Sequence, residues 1–337
     1  MNQLYPLKFA PIIKYPIWGG NKLRTVLNKS VIKDNSGESW EISDVKNNKS
    51  VVSNGFLAGN DITELTEIYM GDLIGQKTFE SYGTSFPILI KFIDASLDLS
   101  IQVHPNDEIA YERHKSFGKT EMWYVLQADK GAKIISGFKT QVDKSTYLKH
   151  LENNALEKIL NIISVNEGDV FFIPAGRIHA IGKGILLAEI QQTSDLTYRL
   201  FDYNRKDADG NPRELHTELA LDAIDFKLYN EYKSNITPTL NTPVNLAECE
   251  YFTTNLIHLN KSIERDMNIM DSFVIYMCIE GKGKIIYRDN KSENISKGET
   301  VLIPAEIPYY NIKPDKDIKL LEVYINHNKR NNANKER

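Results

Sequence analysis

An eight-residue pattern occurs twice in this chain: Gly168-Asp-Val-Phe-Phe-Ile-Pro-Ala and, 130 positions later, Gly298-Glu-Thr-Val-Leu-Ile-Pro-Ala. Each copy reads as a turn glycine, a short apolar strand and a proline exit. Upstream, Tyr124-Val-Leu precedes a glycine at 131 and Tyr276-Met-Cys precedes one at 281, so a whole β unit is duplicated. Two jelly-roll barrels satisfy that requirement, which makes the expected fold mainly β with a small helical decoration.

The rest of the chain fits this frame. Runs rich in Ile, Val, Phe and Tyr and bounded by Gly, Pro, Asn and Asp predict strands near 86–92, 99–103, 121–126 and 169–173. Three- and four-residue apolar spacing predicts helices over roughly 62–76 and 142–163. The expected organisation is a first barrel over 1–205, a polar connector over 206–243, a second barrel over 244–327 and a frayed tail over 328–337.

Composition narrows the function. A formal charge of -4 with no long basic run argues against an extended nucleic-acid surface. Two cysteines, Cys249 and Cys278, are too few for a disulfide framework and predict a reducing, cytoplasmic setting. No apolar stretch is long enough to span a bilayer, and Lys8, Pro11, Lys14 and Pro16 interrupt the region where a signal peptide would be apolar. Gly19-Gly20 has neither phosphate-loop nor dinucleotide-loop spacing, so no nucleotide cofactor is expected. Trp18, Trp40 and Tyr15 are expected to pack in the interior rather than stack on a sugar.

Overlaying the two copies exposes a chemical difference. Five residues after Pro174 stands His179, whereas five after Pro304 stands Tyr309. In the first copy Gln102 and His104 are two apart on an expected strand and leave the same face, and Glu121 opens another strand. Gln102, His104, Glu121 and His179 form a mixed nitrogen and oxygen set suited to one catalytic zinc. The second copy is expected to lack a metal.

Several motifs together resemble the type I mannose-6-phosphate isomerases, members of the cupin superfamily, in their short bacterial form. They are Pro16-Ile-Trp-Gly-Gly, Gly37-Glu-Ser-Trp-Glu-Ile-Ser, Phe86-Pro-Ile-Leu-Ile-Lys-Phe-Ile-Asp-Ala, Leu99-Ser-Ile-Gln-Val-His-Pro-Asn-Asp, Gly118-Lys-Thr-Glu-Met-Trp-Tyr, and the run from Gly168 to Asp202. The resemblance implies a zinc held by Gln102, His104, Glu121 and His179, and interconversion of mannose-6-phosphate and fructose-6-phosphate. It also implies active-site roles for Lys91, Lys119, Arg199, Ser100 and Glu189. Longer family members carry a helical insertion that this chain is too short to contain.

Aldose–ketose conversion moves a proton between C1 and C2 through an enediol, which requires a base and a positive field for the developing oxyanion. With one carboxylate ligand a divalent ion keeps one net positive charge. The resemblance thus gives Arg199 the enediolate or ring opening, Ser100 with Lys91 or Lys119 the phosphate, and Glu189 the proton. Two other readings use the same residues: an iron-dependent dioxygenase on His104, His179 and Glu121, and a cupin that binds a sugar phosphate without turnover.

Overall fold

The computed structural model describes residues 3–206 and 210–327, so the expected tail over 328–337 and part of the expected connector lie outside the described residues. The first unit contains two sheets. One runs Ile12–Lys14, Glu38–Ile42, Ile88–Ala95, Ile185–Gln192, Glu121–Ala128, Val170–Ile173, with every neighbour antiparallel. The other runs Tyr198–Phe201, Ile101–Val103, His179–Ile181, Lys133–Phe138, Leu160–Ser164.

Strands Ile88–Ala95 and Ile185–Gln192 are buried at every position because both their faces are covered. The two-residue period of a strand sorts their side chains. Ile88, Ile90, Phe92, Ala188 and Ile190 enter a core shared with the second unit. Ile93, Ala95, Ile185 and Leu187 meet Trp123, Ile134 and Ile181 between the two sheets of the first unit. Lys91 and Glu189 share the parity of that inner set, which aims a lysine and a glutamate at the interior.

Helices sit outside the sheets. Asp61 caps Ile62–Ile74 through a reciprocal bond with Glu64, and Gly75 then separates it from Gln76–Tyr82. The helix expected over 142–163 is shorter than its spacing suggests. Asp143 caps Lys144–Glu152, Asn154 turns to φ 50°, and Leu160–Ser164 becomes a strand paired with Lys133–Phe138. Leu156, Ile159 and Leu160 are buried as the periodicity requires, but in the core beneath the second sheet. There, pairing to an open sheet edge overrides helical spacing.

The described part of the polar tract, 210–243, packs first on the first unit and then reaches the second, where Asn241 N donates to His258 O. Helix Thr217–Ala223 buries Ala220 and Ala223 against the second sheet, and Ser234 N donates to Val170 O. The second unit is a seven-strand sheet in which the long strands Val274–Tyr287 and Tyr309–Tyr324 are central.

The repeated octapeptides occupy matching places. Gly168 and Gly298 both adopt positive φ, 84° and 87°. Gly168 N donates to Val125 O and Gly298 N to Cys278 O, each at 2.8 Å, which matches Val125 with Cys278 and so Trp123, not Tyr124, with Tyr276, one position off the pairing expected from sequence. After the prolines, Arg177 N donates to Pro174 O and Ile307 N to Pro304 O. Trp18 and Trp40 are buried, as expected of core aromatics, whereas Tyr15 is only partly buried and its hydroxyl accepts from Ile32 N.

Candidate metal centre

Three strands of the first unit deliver the candidate ligands to one point, His104 standing just past the end of Ile101–Val103. His179 lies opposite Gln102 in the ladder, and Arg199 lies opposite Gln102 on its other side. Glu121 begins the strand of the facing sheet, across from Ile173 and Gln191. As a result His104 Nε2 is 3.1 Å from His179 Nε2, His179 Nε2 is 3.3 Å from Glu121 Oε1, and His104 Nε2 is 3.6 Å from Glu121 Oε2. Tetrahedral ligands about 2.0–2.1 Å from an ion are separated by roughly 3.3–3.4 Å, so these spacings fit a small divalent cation.

Protonation favours the same use. His104 Nδ1 is 2.8 Å from Leu196 O, and His179 Nδ1 is 2.8 Å from Arg177 O. Each carbonyl fixes the ring proton on Nδ1 and turns the Nε2 lone pair inward. Burial, then Lys119 and the second imidazole, hold His104 well below the usual histidine range; burial takes His179 down to about 3. Two inward lone pairs at this distance repel, and the Lys119 ammonium, 2.9 Å from His104 Nε2, offsets this for only one of them.

Glu121 is fully buried, and neither of its oxygens accepts a well-directed hydrogen bond, although Lys119 Nζ is 2.8 Å from Oε2. Burial pushes its carboxyl up to about 7 against the pull of Lys119. A buried carboxylate that incompletely satisfied is costly unless it meets a further cation. Among the described residues, His104, Glu121 and His179 form a cluster that could hold a metal ion, with one ligand atom from each lying within 4.8 Å of the others. Gln102 lies beside it with Nε2 3.3 Å from His179 Nε2, so it joins the ligand set only with its amide turned to present Oε1. Ser100 Oγ donates to that Oε1 at 3.4 Å.

Lys91 and Glu189 form a second buried charged pair. Lys91 Nζ is 3.0 Å from Glu189 Oε2 and 3.5 Å from Glu38 Oε2, and it also stands 5.0 Å over the Trp40 ring. Trp123 Nε1 donates to Glu189 Oε1 at 2.9 Å. Burial alone would raise Glu189, but Lys91 and Lys119 outweigh it and bring the carboxyl down to about 2. The same pairing overcomes the burial of Lys91 and keeps its ammonium charged.

Arg199 is half-buried and donates through Nη1 to Glu214 O at 2.9 Å, while its Nε lacks an acceptor. Burial and Arg213 lower its pKa. Asp202 is engaged instead by Arg205 and Arg213. The sequence reading assigned no roles to Glu38 and Trp123, although both stand inside quoted motifs. A period-two count along their strands would have set Trp123 beside Glu121 on the inner face.

Fold and donor set together define a cupin-type protein with a buried histidine and carboxylate cluster that could hold a metal ion. Residues 7–141 match the type I phosphomannose isomerase catalytic domain, and residues 242–324 match the mannose-6-phosphate isomerase cupin domain. The chain is 38% identical over 313 residues to the mannose-6-phosphate isomerase ManA of Bacillus subtilis, covering 91% of this chain and 96% of that one. It is 34% identical over 319 residues to a mannose-6-phosphate isomerase of Streptococcus mutans, covering 93% and 96%. The crystal structure of a mannose 6-phosphate isomerase from Bacillus subtilis superimposes with a TM-score of 0.85 at 33% identity, covering 95% and 99%. This chain belongs to the type I mannose-6-phosphate isomerase family.

Proposed function

We propose that the chain is a zinc-dependent isomerase that interconverts mannose-6-phosphate and fructose-6-phosphate through an enediol, in the cytoplasm, with one ion per chain. The observation that carries this reading is the convergence of His104, His179 and Glu121 beside Lys119 and the Lys91–Glu189 pair. Gln102, His104, Glu121 and His179 hold the ion, which when bound supplies Lewis-acid polarisation of a sugar oxygen. Residues 1–205 carry this chemistry, 206–243 connect, and 244–327 form a second barrel without ligands.

Ser100 and Lys91 receive the phosphate, Lys119 and Arg199 supply positive charge to the enediolate, and Glu189 carries the proton. At about 2, Glu189 is too weak a base for that task while Lys91 holds it. A phosphate that draws Lys91 away removes the largest force lowering this carboxyl, and burial then raises it. Substrate binding thereby prepares the base.

Isomerisation run in deuterated water tests the route. Proton transfer through an enediol places solvent deuterium on carbon in the product to the extent that the base exchanges during turnover, and any such incorporation excludes a direct hydride shift. Glu189→Gln should lower kcat about 100-fold or more with the metal still bound. Unchanged turnover in the metal-loaded variant removes Glu189 from the proton-transfer role.

A further inference from the structure

Although the second unit contributes no residue to the metal cluster, one of its tyrosines reaches the segment that carries Glu121. Tyr251 Oη donates to Asp107 Oδ2 at 2.8 Å. The other oxygen of Asp107 accepts from Gly118 N and from Gln192 Nε2, each at 2.8 Å. Gln192 Oε1 accepts from Thr120 N at 2.8 Å, and Gln192 N donates back to Thr120 O at 3.2 Å. This chain of bonds therefore ends on the residue preceding Glu121.

The segment needs such tethers. Residues 115–120 form no helix or strand, so the ladder that fixes Glu121 begins only at Glu121 itself. Lys119, whose ammonium touches both His104 and Glu121, rides on the same stretch. There is no slack at its start: a Cβ on Gly118 would come within 2.6 Å of Asn106 C and Asp107 N. Asp107 accepts three donors, a task a carboxylate performs and a carboxamide, which carries its own NH2, cannot.

We propose that Tyr251, Asp107 and Gln192 are positioning residues for the metal centre, and that the Tyr251 bond is how the second unit braces the Gly118–Glu121 segment. The inference rests on the metal-centre reading but not on the identity of the sugar. Its logic is that of an outer shell: ligands closing on a small ion must be held to tenths of an ångström by groups that do not touch it.

The test uses full-length Tyr251→Phe and Asp107→Asn, with Tyr5→Phe as a control. Tyr5 makes two comparable phenol bonds, to Asn54 O and from Leu57 N, in a part of the chain remote from this relay. Each protein is titrated with Co2+ against a competing chelator while the visible absorption of the bound ion is recorded. Asp107→Asn should weaken Co2+ binding about 10-fold and Tyr251→Phe about 3-fold, with altered absorption in both. Tyr5→Phe should stay within about twofold of the parent whatever its melting temperature. Parent-like affinity and absorption in Tyr251→Phe and Asp107→Asn overturn the proposal even if both melt earlier, as does a parent that takes up no Co2+. If Asp107→Asn does not fold, Tyr251→Phe alone decides. Turnover of mannose-6-phosphate is read separately: its absence in a Co2+-binding parent contradicts the isomerase reading and leaves the bracing result standing.

Discussion

Each unit buries a glutamate on the same rung of its central strands, and the two glutamates meet different fates. Glu189 faces Lys91 on one neighbouring strand and Trp123 on the other; Glu322 faces Asn255 and Tyr276. Trp123 donates to Glu189 as Tyr276 donates to Glu322, at 2.9 and 2.6 Å. In the second unit Arg265 completes the set, with Nε and Nη2 at 3.0 and 2.9 Å from the two Glu322 oxygens, and Asn255 Nδ2 adds a bond at 2.9 Å. That carboxylate is saturated by the protein itself. In the first unit Glu121 adds a second buried carboxylate with no well-directed hydrogen bond, facing two imidazole lone pairs. Tyr309, which follows Pro304 as His179 follows Pro174, lies 59% exposed and contributes nothing to the interior. A buried carboxylate whose two oxygens both receive well-directed donors is structural, whereas one that meets a single lysine and otherwise faces imidazole lone pairs marks a site.

The largest effect should come from removing the unsatisfied carboxylate. Glu121→Gln is expected to lower metal affinity and turnover by more than about 100-fold, beyond the range of outer-shell changes, with the fold retained. Metal analysis and circular dichroism on one sample check both halves of that expectation. Arg265→Met should do the reverse, leaving turnover near parental at low temperature and costing about 3–5 kcal/mol in denaturant unfolding, because Glu322 is left buried without its cation. Parental stability in that variant would erase the contrast between the two units.

A smaller effect is expected from Trp123→Phe, about 1–3 kcal/mol, since it removes one donor from Glu189. The pH dependence follows from the sign of the shift. Glu189 is held below the ordinary glutamate value of 4.5, so its contribution to stability is complete above that pH and is lost as pH falls through about 2. The difference between Trp123→Phe and the parent should therefore be fully developed above pH 4.5 and narrow on acidification. A difference that stays constant across that window assigns the loss to packing alone.

Much of this contrast could be read in the sequence because it rests on local rules. Turn glycines announced the duplication, and two-residue spacing set Gln102 and His104 on one face. The candidate ligands other than Gln102 meet without rearrangement. Sequence spacing failed where partners are distant: Trp123 and Glu189 are 66 residues apart, and Arg265 and Glu322 are 57 apart. The match of Ile185-Leu-Leu-Ala-Glu with Ile318-Lys-Leu-Leu-Glu becomes visible only once the ladders align Glu189 and Glu322. The strand Leu160–Ser164 was hidden for another reason, since its apolar residues also satisfy helical spacing and only the free edge of Lys133–Phe138 decides between the two.

The most direct test is coupled turnover of mannose-6-phosphate to fructose-6-phosphate by the purified protein before chelation, after chelation and after Zn2+ is restored. A functional centre at His104, Glu121 and His179 predicts activity lost on chelation and recovered with Zn2+. Full activity in protein verified as metal-free, or none in the Zn2+-loaded protein, would contradict it.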